Sequence, residues 1–271
     1  MKLSFCSGAY EKDSLSVGEI IRRVSDAGYD GIELAVTTGI PKHHASPRDL
    51  KTKDRKALRD ILSSYDLEVP AMHRVYTDQL SIIHPDASRR RLAVKHTKEV
   101  VELASDIGAG VIVIGRRDQP REIPYQRSWK WALSSLTEAG KSAQDFGVIL
   151  AIEPINRYLS PFVNTVEEAL RLRGEISLDS VQVMCDTHHM NIEEKDSVDP
   201  IRKCADHLIH VHASDSNLEA PGRGRIDFRP VIETLGQIGY EDYVSFEVMP
   251  IPDADTAARQ SIEYFSKFSV F

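Results

Sequence analysis

Short hydrophobic runs alternate with longer amphipathic stretches about eight times along this chain. The runs are Leu3–Cys6, Gly31–Val36, Glu68–His73, Val111–Gly115, Val148–Glu153, Val181–Asp186, Leu208–His212 and Tyr243–Val248. They are too short for helices and rich in β-branched and aromatic residues, so they read as strands. Between them, stretches such as Ser88–Ile107 and Ser128–Phe146 carry apolar residues at helical spacing. Gly28, Gly108, Gly147 and Gly239 stand where a helix C-terminus calls for a left-handed residue before the next strand. Strands alternating with helices predict a parallel sheet, and eight of them predict closure into a (β/α)8 TIM barrel. No linker, low-complexity block or composition shift divides the chain, so a single domain is expected over 1–271. The doubly wound dinucleotide fold is the alternative, but no Gly-x-Gly-x-x-Gly follows the first strand.

Four of these runs close on a polar residue: Glu153, Asp186, His212 and Glu247. A lone acid at a strand end is more often a solvated end or an ion-pair partner than a ligand. Four in succession rarely arise by chance. A barrel gathers its strand C-termini on one face, where such side chains converge. Three carboxylates there repel one another unless a cation is bound, and with one imidazole they form a hard, oxygen-rich set. The expectation is one divalent metal, Mn²⁺ foremost, with Mg²⁺ and Co²⁺ sharing the same ligand preference. Glu33, which lies in the second run, is a weaker candidate for the same polar layer.

Composition narrows the partners. The 271 residues are 41% hydrophobic and 28% charged, ordinary for a globular protein with a sizeable core. A net charge of -7 argues against a general nucleic-acid or anionic-membrane binder. No apolar stretch has membrane-spanning length, and Met1–Cys6 enters a strand without a long apolar leader. The three cysteines, Cys6, Cys185 and Cys204, form no paired framework. A cytoplasmic protein is expected.

The segment Ala151-Ile152-Glu153-Pro154-Ile155-Asn156-Arg157-Tyr158, with Val163-Asn164-Thr165, resembles the fifth-strand signature of the xylose-isomerase-like sugar isomerase and epimerase superfamily. Cys185-Asp186-Thr187-His188-His189-Met190-Asn191 is similar to the sixth-strand motif of its ketose 3-epimerase branch. His210-Val211-His212 with Pro221-Gly222-Arg223-Gly224, and Phe246-Glu247, match further segments. The resemblance implies that Glu153, Asp186, His212 and Glu247 hold one metal. It also implies that Glu153 and Glu247 are the acid/base pair on opposite faces of a carbohydrate substrate, working through an enediolate. His189 falls where the epimerases hold a substrate oxygen. His188, at a position aromatic in many relatives, is either a second substrate contact or a packed neighbour of the metal layer.

Two positions depart from that pattern. Leu159 stands where the epimerases carry a glutamate and Leu218 where they carry an arginine, and leucine neither donates nor accepts a hydrogen bond. Basic residues follow other strands: Arg74, Arg116, Arg117, Arg223 and Arg225. Any one loop arginine is more often a solvated charge, but several on one face point to recognition of an anionic group. Arg116, Arg117 and Arg223 are therefore candidate substrate contacts. The expected substrate is a ketose or a modified, anionic sugar. A metal-dependent lyase or dehydratase acting on an oxidised sugar or cyclitol is the alternative. An abasic-site endonuclease is disfavoured by the acidic charge and the lack of a basic stripe. By analogy with relatives, a homo-oligomer, dimer or tetramer, is expected. His43, His44 and Pro47 read as a capping loop. Trp129 and Trp131, two apart on a helix, read as packing on different faces.

Overall fold

The computed structural model describes residues 1–36, 45–47, 49–73, 80–115 and 123–268. Eight parallel strands close into a barrel in sequence order: β1 (Lys2–Cys6), β2 (Gly31–Ala35), β3 (Ala71–His73), β4 (Val111–Ile114), β5 (Ile149–Ile152), β6 (Val181–Asp186), β7 (Leu208–His212) and β8 (Tyr243–Phe246). The last strand returns to the first, pairing Ser4 with Ser245 and Phe5 with Phe246. The helices are α1 (Val17–Asp26), α2 (Thr52–Ser64), α3 (Ala87–Ile107), α4 (Tyr125–Asp145), α5 (Val166–Ile176), α6 (Thr187–Glu193), α7 (Asp199–Lys203), α8 (Phe228–Gln237) and α9 (Ala254–Phe265). Among the described residues no helix is long and apolar enough to cross a membrane.

Local chemistry accounts for several boundaries. Ser16 and Glu19 form a reciprocal capping box on α1, and Thr165 with Glu168 does the same for α5. Gly108, at φ 86°, ends α3 in the left-handed conformation expected of it, and Gly147 (φ 66°) follows α4 in the same way. The third strand is shorter than its hydrophobic run. Pro70 lacks an N–H for the ladder, so Glu68 makes only an isolated bridge to Gly31 and pairing starts at Ala71.

The main core fills the layer between sheet and helices. Phe5, Ile32, Leu34, Ile112, Ile114, Leu150 and Phe246 lie in it, fully buried. Ala71, Val111, Val113, Ala151 and Met184 form a separate small cluster. Ala71, Ala151 and Met184 each stand two residues before a polar strand end, on the same strand face: His73, Glu153 and Asp186. Small and apolar side chains thus floor the barrel beneath a polar layer. Trp129 and Trp131 serve packing, as their spacing predicts. Trp129 is buried, donates to Glu175 Oε2 (2.9 Å) and stacks on Tyr125, while Trp131 lies under Arg90.

Candidate metal centre and active site

The barrel brings together the four strand-end ligands. His212 Nδ1 lies 3.1 Å from Glu247 Oε2, 3.6 Å from Glu153 Oε1 and 3.7 Å from Asp186 Oδ2. One ligand atom from each of the four falls within 4.8 Å of all the others. Asp186 and His212 are the last residues of their strands, whereas Glu153 and Glu247 lie one residue beyond theirs. Asp186 divides its carboxylate: Oδ1 accepts from the His189 N–H (3.0 Å) and caps α6, while Oδ2 faces the cluster. Gly115, just after β4, supplies clearance, since a Cβ there would overlap Glu153 Oε2.

The other side of the His212 ring carries a second arrangement. Glu33 is fully buried, and its carboxylate accepts from His73 Nδ1 (2.9 Å), His210 Nε2 (2.8 Å) and His212 Nε2 (3.0 and 3.1 Å to its two oxygens). Burial alone would raise the Glu33 pKa, but His212 and His210 outweigh it and hold the group well below the usual carboxylate range. An ionised carboxylate only accepts, so all three imidazoles must present N–H groups to it. In neutral His212 this leaves Nδ1 as a lone pair aimed at three carboxylates. That atom is buried and lacks a hydrogen-bond partner. Burial disfavours a proton on His212, yet Glu33 beneath it and Glu153 and Glu247 beside it push its pKa well above the ordinary value. The centre therefore calls for a positive charge at Nδ1. A divalent ion with one nitrogen and three carboxylate ligands meets that demand, and the donor set is of the hard kind.

Around this centre, His189 Nε2 lies 3.8 Å from Glu153 Oε1. Its Nδ1 is 3.0 Å from Asn156 Nδ2. The Asn156 oxygen already accepts from the backbone N–H groups of Tyr158 (3.1 Å) and Leu159 (3.3 Å), so its amide nitrogen must donate to His189. His189 then carries its proton on Nε2, on the side of the carboxylates. Arg157 binds Glu193 in bidentate fashion, Nε to Oε1 (2.9 Å) and Nη2 to Oε2 (2.6 Å), tying the segment after β5 to α6. His188 is buried, 5.4 Å ring to ring from His189, and burial lowers its pKa.

The segment from Asp215 to Ile226 wraps around one carboxylate. Asp215 accepts from the backbone N–H groups of Ser216 (2.7 Å), Gly222 (2.8 Å) and Ile226 (3.0 Å). Arg223, within that segment, is 52% exposed and sits 3.9 Å from Glu219. Leu218 adopts a left-handed conformation (φ 62°), and its carbonyl accepts from the Met249 N–H (2.7 Å). Leu159 is half exposed beside the highly exposed Tyr158. Arg74, Arg116, Arg117, His43 and His44 lie outside the described residues. The residues underweighted in the sequence are Glu33, His73 and His210, together with Asn156. His73 ends the third run as the four ligands end theirs, Glu33 lies in the middle of β2, and His210 shares a strand face with His212.

Fold and site define the class. Residues 21–268 match the family described as Xylose isomerase-like TIM barrel, and the chain belongs to that family. It is 38% identical over 241 residues to the ketose 3-epimerase of Arthrobacter globiformis, covering 87% of this chain and 78% of that protein. To the D-psicose 3-epimerase of Enterocloster bolteae it is 39% identical over 110 residues, 41% of this chain but only 36% of that protein's length. The crystal structure of D-psicose 3-epimerase with D-tagatose from Clostridium cellulolyticum H10 superposes with a TM-score of 0.87 at 22% identity, covering 98% of this chain and 99% of that one, a likeness of fold.

Proposed function

We propose that the protein is a divalent-metal-dependent epimerase acting on a ketose or modified sugar by moving a proton at the carbon beside a carbonyl. The observation that carries this reading is the convergence of Glu153 and Glu247 on His212 Nδ1, with Asp186 completing the set. The 38% identity to a ketose 3-epimerase supports it. Glu153, Asp186, His212 and Glu247 would hold the ion, with Mn²⁺ the preferred candidate. When bound, the ion polarises the substrate carbonyl and acidifies the adjoining C–H. One of the two glutamates removes that proton, and the other returns one from the opposite face, inverting the carbon. His189, held as the Nε2–H tautomer by Asn156, donates to a substrate oxygen.

Leu159 and Leu218 offer no hydrogen bonds to sugar hydroxyls, which favours a modified substrate over a plain ketohexose. The same departure supports a second reading, in which the carbanion expels a leaving group and the enzyme is a lyase on an oxidised sugar or cyclitol.

The test is proton exchange in D₂O with Mn²⁺, followed by NMR across ketoses, sugar phosphates, sugar acids and cyclitol ketones. Deuterium beside a carbonyl, with an epimer formed, supports the proposal and names the substrate class. Exchange or β-elimination without an epimer selects the lyase. The absence of both exchange and elimination with every compound, with metal bound, removes both readings.

A further inference from the structure

We infer that Glu33 is the positioning residue that makes His212 a metal ligand, and that His73 and His210 exist to hold Glu33 in place. The inference rests on the metal reading above and concerns residues that take no part in the ligand set.

The geometry is a hydrogen-bonded column inside the barrel. Glu33 comes from β2, His73 from β3, and His210 and His212 from β7. All four are at most 1% exposed. A neutral imidazole has one N–H and one lone pair, and which nitrogen carries which is set by the partner of the N–H. With Glu33 accepting at Nε2, the lone pair of His212 falls on Nδ1, the atom 3.1 to 3.7 Å from the three carboxylates. Without an acceptor below, the proton would move to Nδ1, where those carboxylates attract it, and the ligand would be lost. The carboxylate also fixes the ring plane and raises the basicity of the opposite nitrogen, as such partners do for metal-bound histidines generally.

Glu33 itself needs anchoring, because a buried carboxylate with one partner would be costly. His73 binds Oε1 (2.9 Å) and His210 binds Oε2 (2.8 Å), leaving His212 bridging both oxygens. Its hydrogen bonding is thereby met without a cation. The atoms of Cys6, Glu33, His73 and His212 are close enough to be read as a second metal site. The hydrogen-bonded reading differs from that one in a countable way: it requires one ion per chain.

The experiment is Mn²⁺ binding to the metal-stripped full chain, read from the loss of the free-ion EPR signal, with stoichiometry by elemental analysis. Glu33→Gln removes the charge and leaves an N–H₂ facing an imidazole N–H. Glu33→Asp keeps the charge but draws it back by one methylene, and serves if the first variant does not fold. Glu68→Gln, at the foot of the barrel, is the control. The expected result is one ion per chain, with affinity 10- to 100-fold weaker in the Glu33 variants at unchanged far-UV circular dichroism and unchanged in the control. In the Mg²⁺-loaded chain, ¹⁵N-resolved NMR should show His212 protonated on Nε2. Wild-type affinity in a folded Glu33 variant would overturn the inference while leaving the metal reading intact. Two ions per chain, one of them lost in Cys6→Ser, would overturn it in favour of a second site. If the wild type binds no Mn²⁺, Mg²⁺ or Co²⁺, the metal reading itself fails.

Discussion

Above and below the His212 ring lie two acidic environments built from the same residue types in inverse proportion. On the Nδ1 side three carboxylates, Glu153, Asp186 and Glu247, face one nitrogen. On the Nε2 side one carboxylate, Glu33, faces three imidazoles. Below, each Glu33 oxygen has imidazole donors, His73 Nε2 alone of that ring's nitrogens being buried without a partner, and each charge-assisted hydrogen bond is worth about 1.5–3 kcal/mol. Above, three carboxylates converge on one nitrogen and repel one another, a cost that a bound cation relieves. Carboxylate number alone therefore does not identify a metal site. How many carboxylates converge on one atom does.

The largest effect should come from the upper side. Glu153→Gln and Glu247→Gln each remove a proton-transfer group, and turnover of the substrate found by the exchange screen should fall by about 10²–10⁴-fold or more. Circular dichroism should stay unchanged, because Gln is nearly isosteric and relieves repulsion. Substantial activity in either variant would end the two-glutamate assignment.

A sharper contrast comes from stability. Asp186→Asn keeps the α6 cap, since Asn also accepts from the His189 N–H, but removes one of the three charges. The metal-free variant should melt higher than wild type by roughly 2–4 °C, the shift that roughly 1 kcal/mol makes in a chain of this order of size. Its response to Mn²⁺ should weaken: about 2.7 kcal/mol of stabilisation is expected of wild type at a hundredfold excess over Kd, and much less of the variant. Below the ring the sign reverses. Neutralising Glu33 strands buried imidazole N–H groups, and the metal-free chain should melt lower. If both variants shifted Tm in the same direction, the crowding of carboxylates would not be what separates the two sides.

This asymmetry also explains how much was legible in the sequence. The barrel was readable because its strands are short hydrophobic runs at regular intervals, with left-handed glycines such as Gly108 and Gly147 marking the helix ends. The upper ligands stood out because each is a charged residue at the end of an apolar run. His73 occupies an equivalent strand end and Glu33 the middle of β2, but their role depends on Glu33 reaching His210 and His212 across the barrel, a contact between positions 177 and 179 residues apart. No local pattern encodes that. Asn156 was visible only as part of a motif, since its function depends on which way its amide faces, and that is fixed by the backbone N–H groups of Tyr158 and Leu159. The third strand was overextended because Pro70 interrupts a run that hydrophobicity alone continues.

A smaller effect probes the layer beside the centre. Asn156→Ala should free His189 to change tautomer, lowering kcat by roughly fivefold to tenfold, about the value of one net hydrogen bond. Mn²⁺ affinity should hold, because Asn156 touches no ligand in the upper set directly. A loss of metal affinity equal to that of the Glu33 variants would mean that Asn156 supports the centre rather than His189.

Asp215 supplies the comparison's third case, a carboxylate satisfied by backbone N–H groups with neither imidazole nor cation. Burial would raise its pKa, but the N–H groups of Ile226, Ser216, Gly224 and Gly222 prevail and hold it below the ordinary value. A group depressed in the folded state contributes stability that is complete above its unfolded pKa, about 3.9 for Asp, and that is lost as pH falls through the lower folded value. Asp215→Asn replaces one acceptor with an N–H₂ facing a backbone N–H, and should cost about 1–3 kcal/mol at pH 7 by urea unfolding. That difference should stay level from pH 8 to 5 and shrink below about pH 4, as wild type approaches the variant. Mn²⁺ should raise the stability of both proteins equally, since this carboxylate already has its donors. A Mn²⁺ response that differed between them would place Asp215 with the electron-rich upper side of His212 instead.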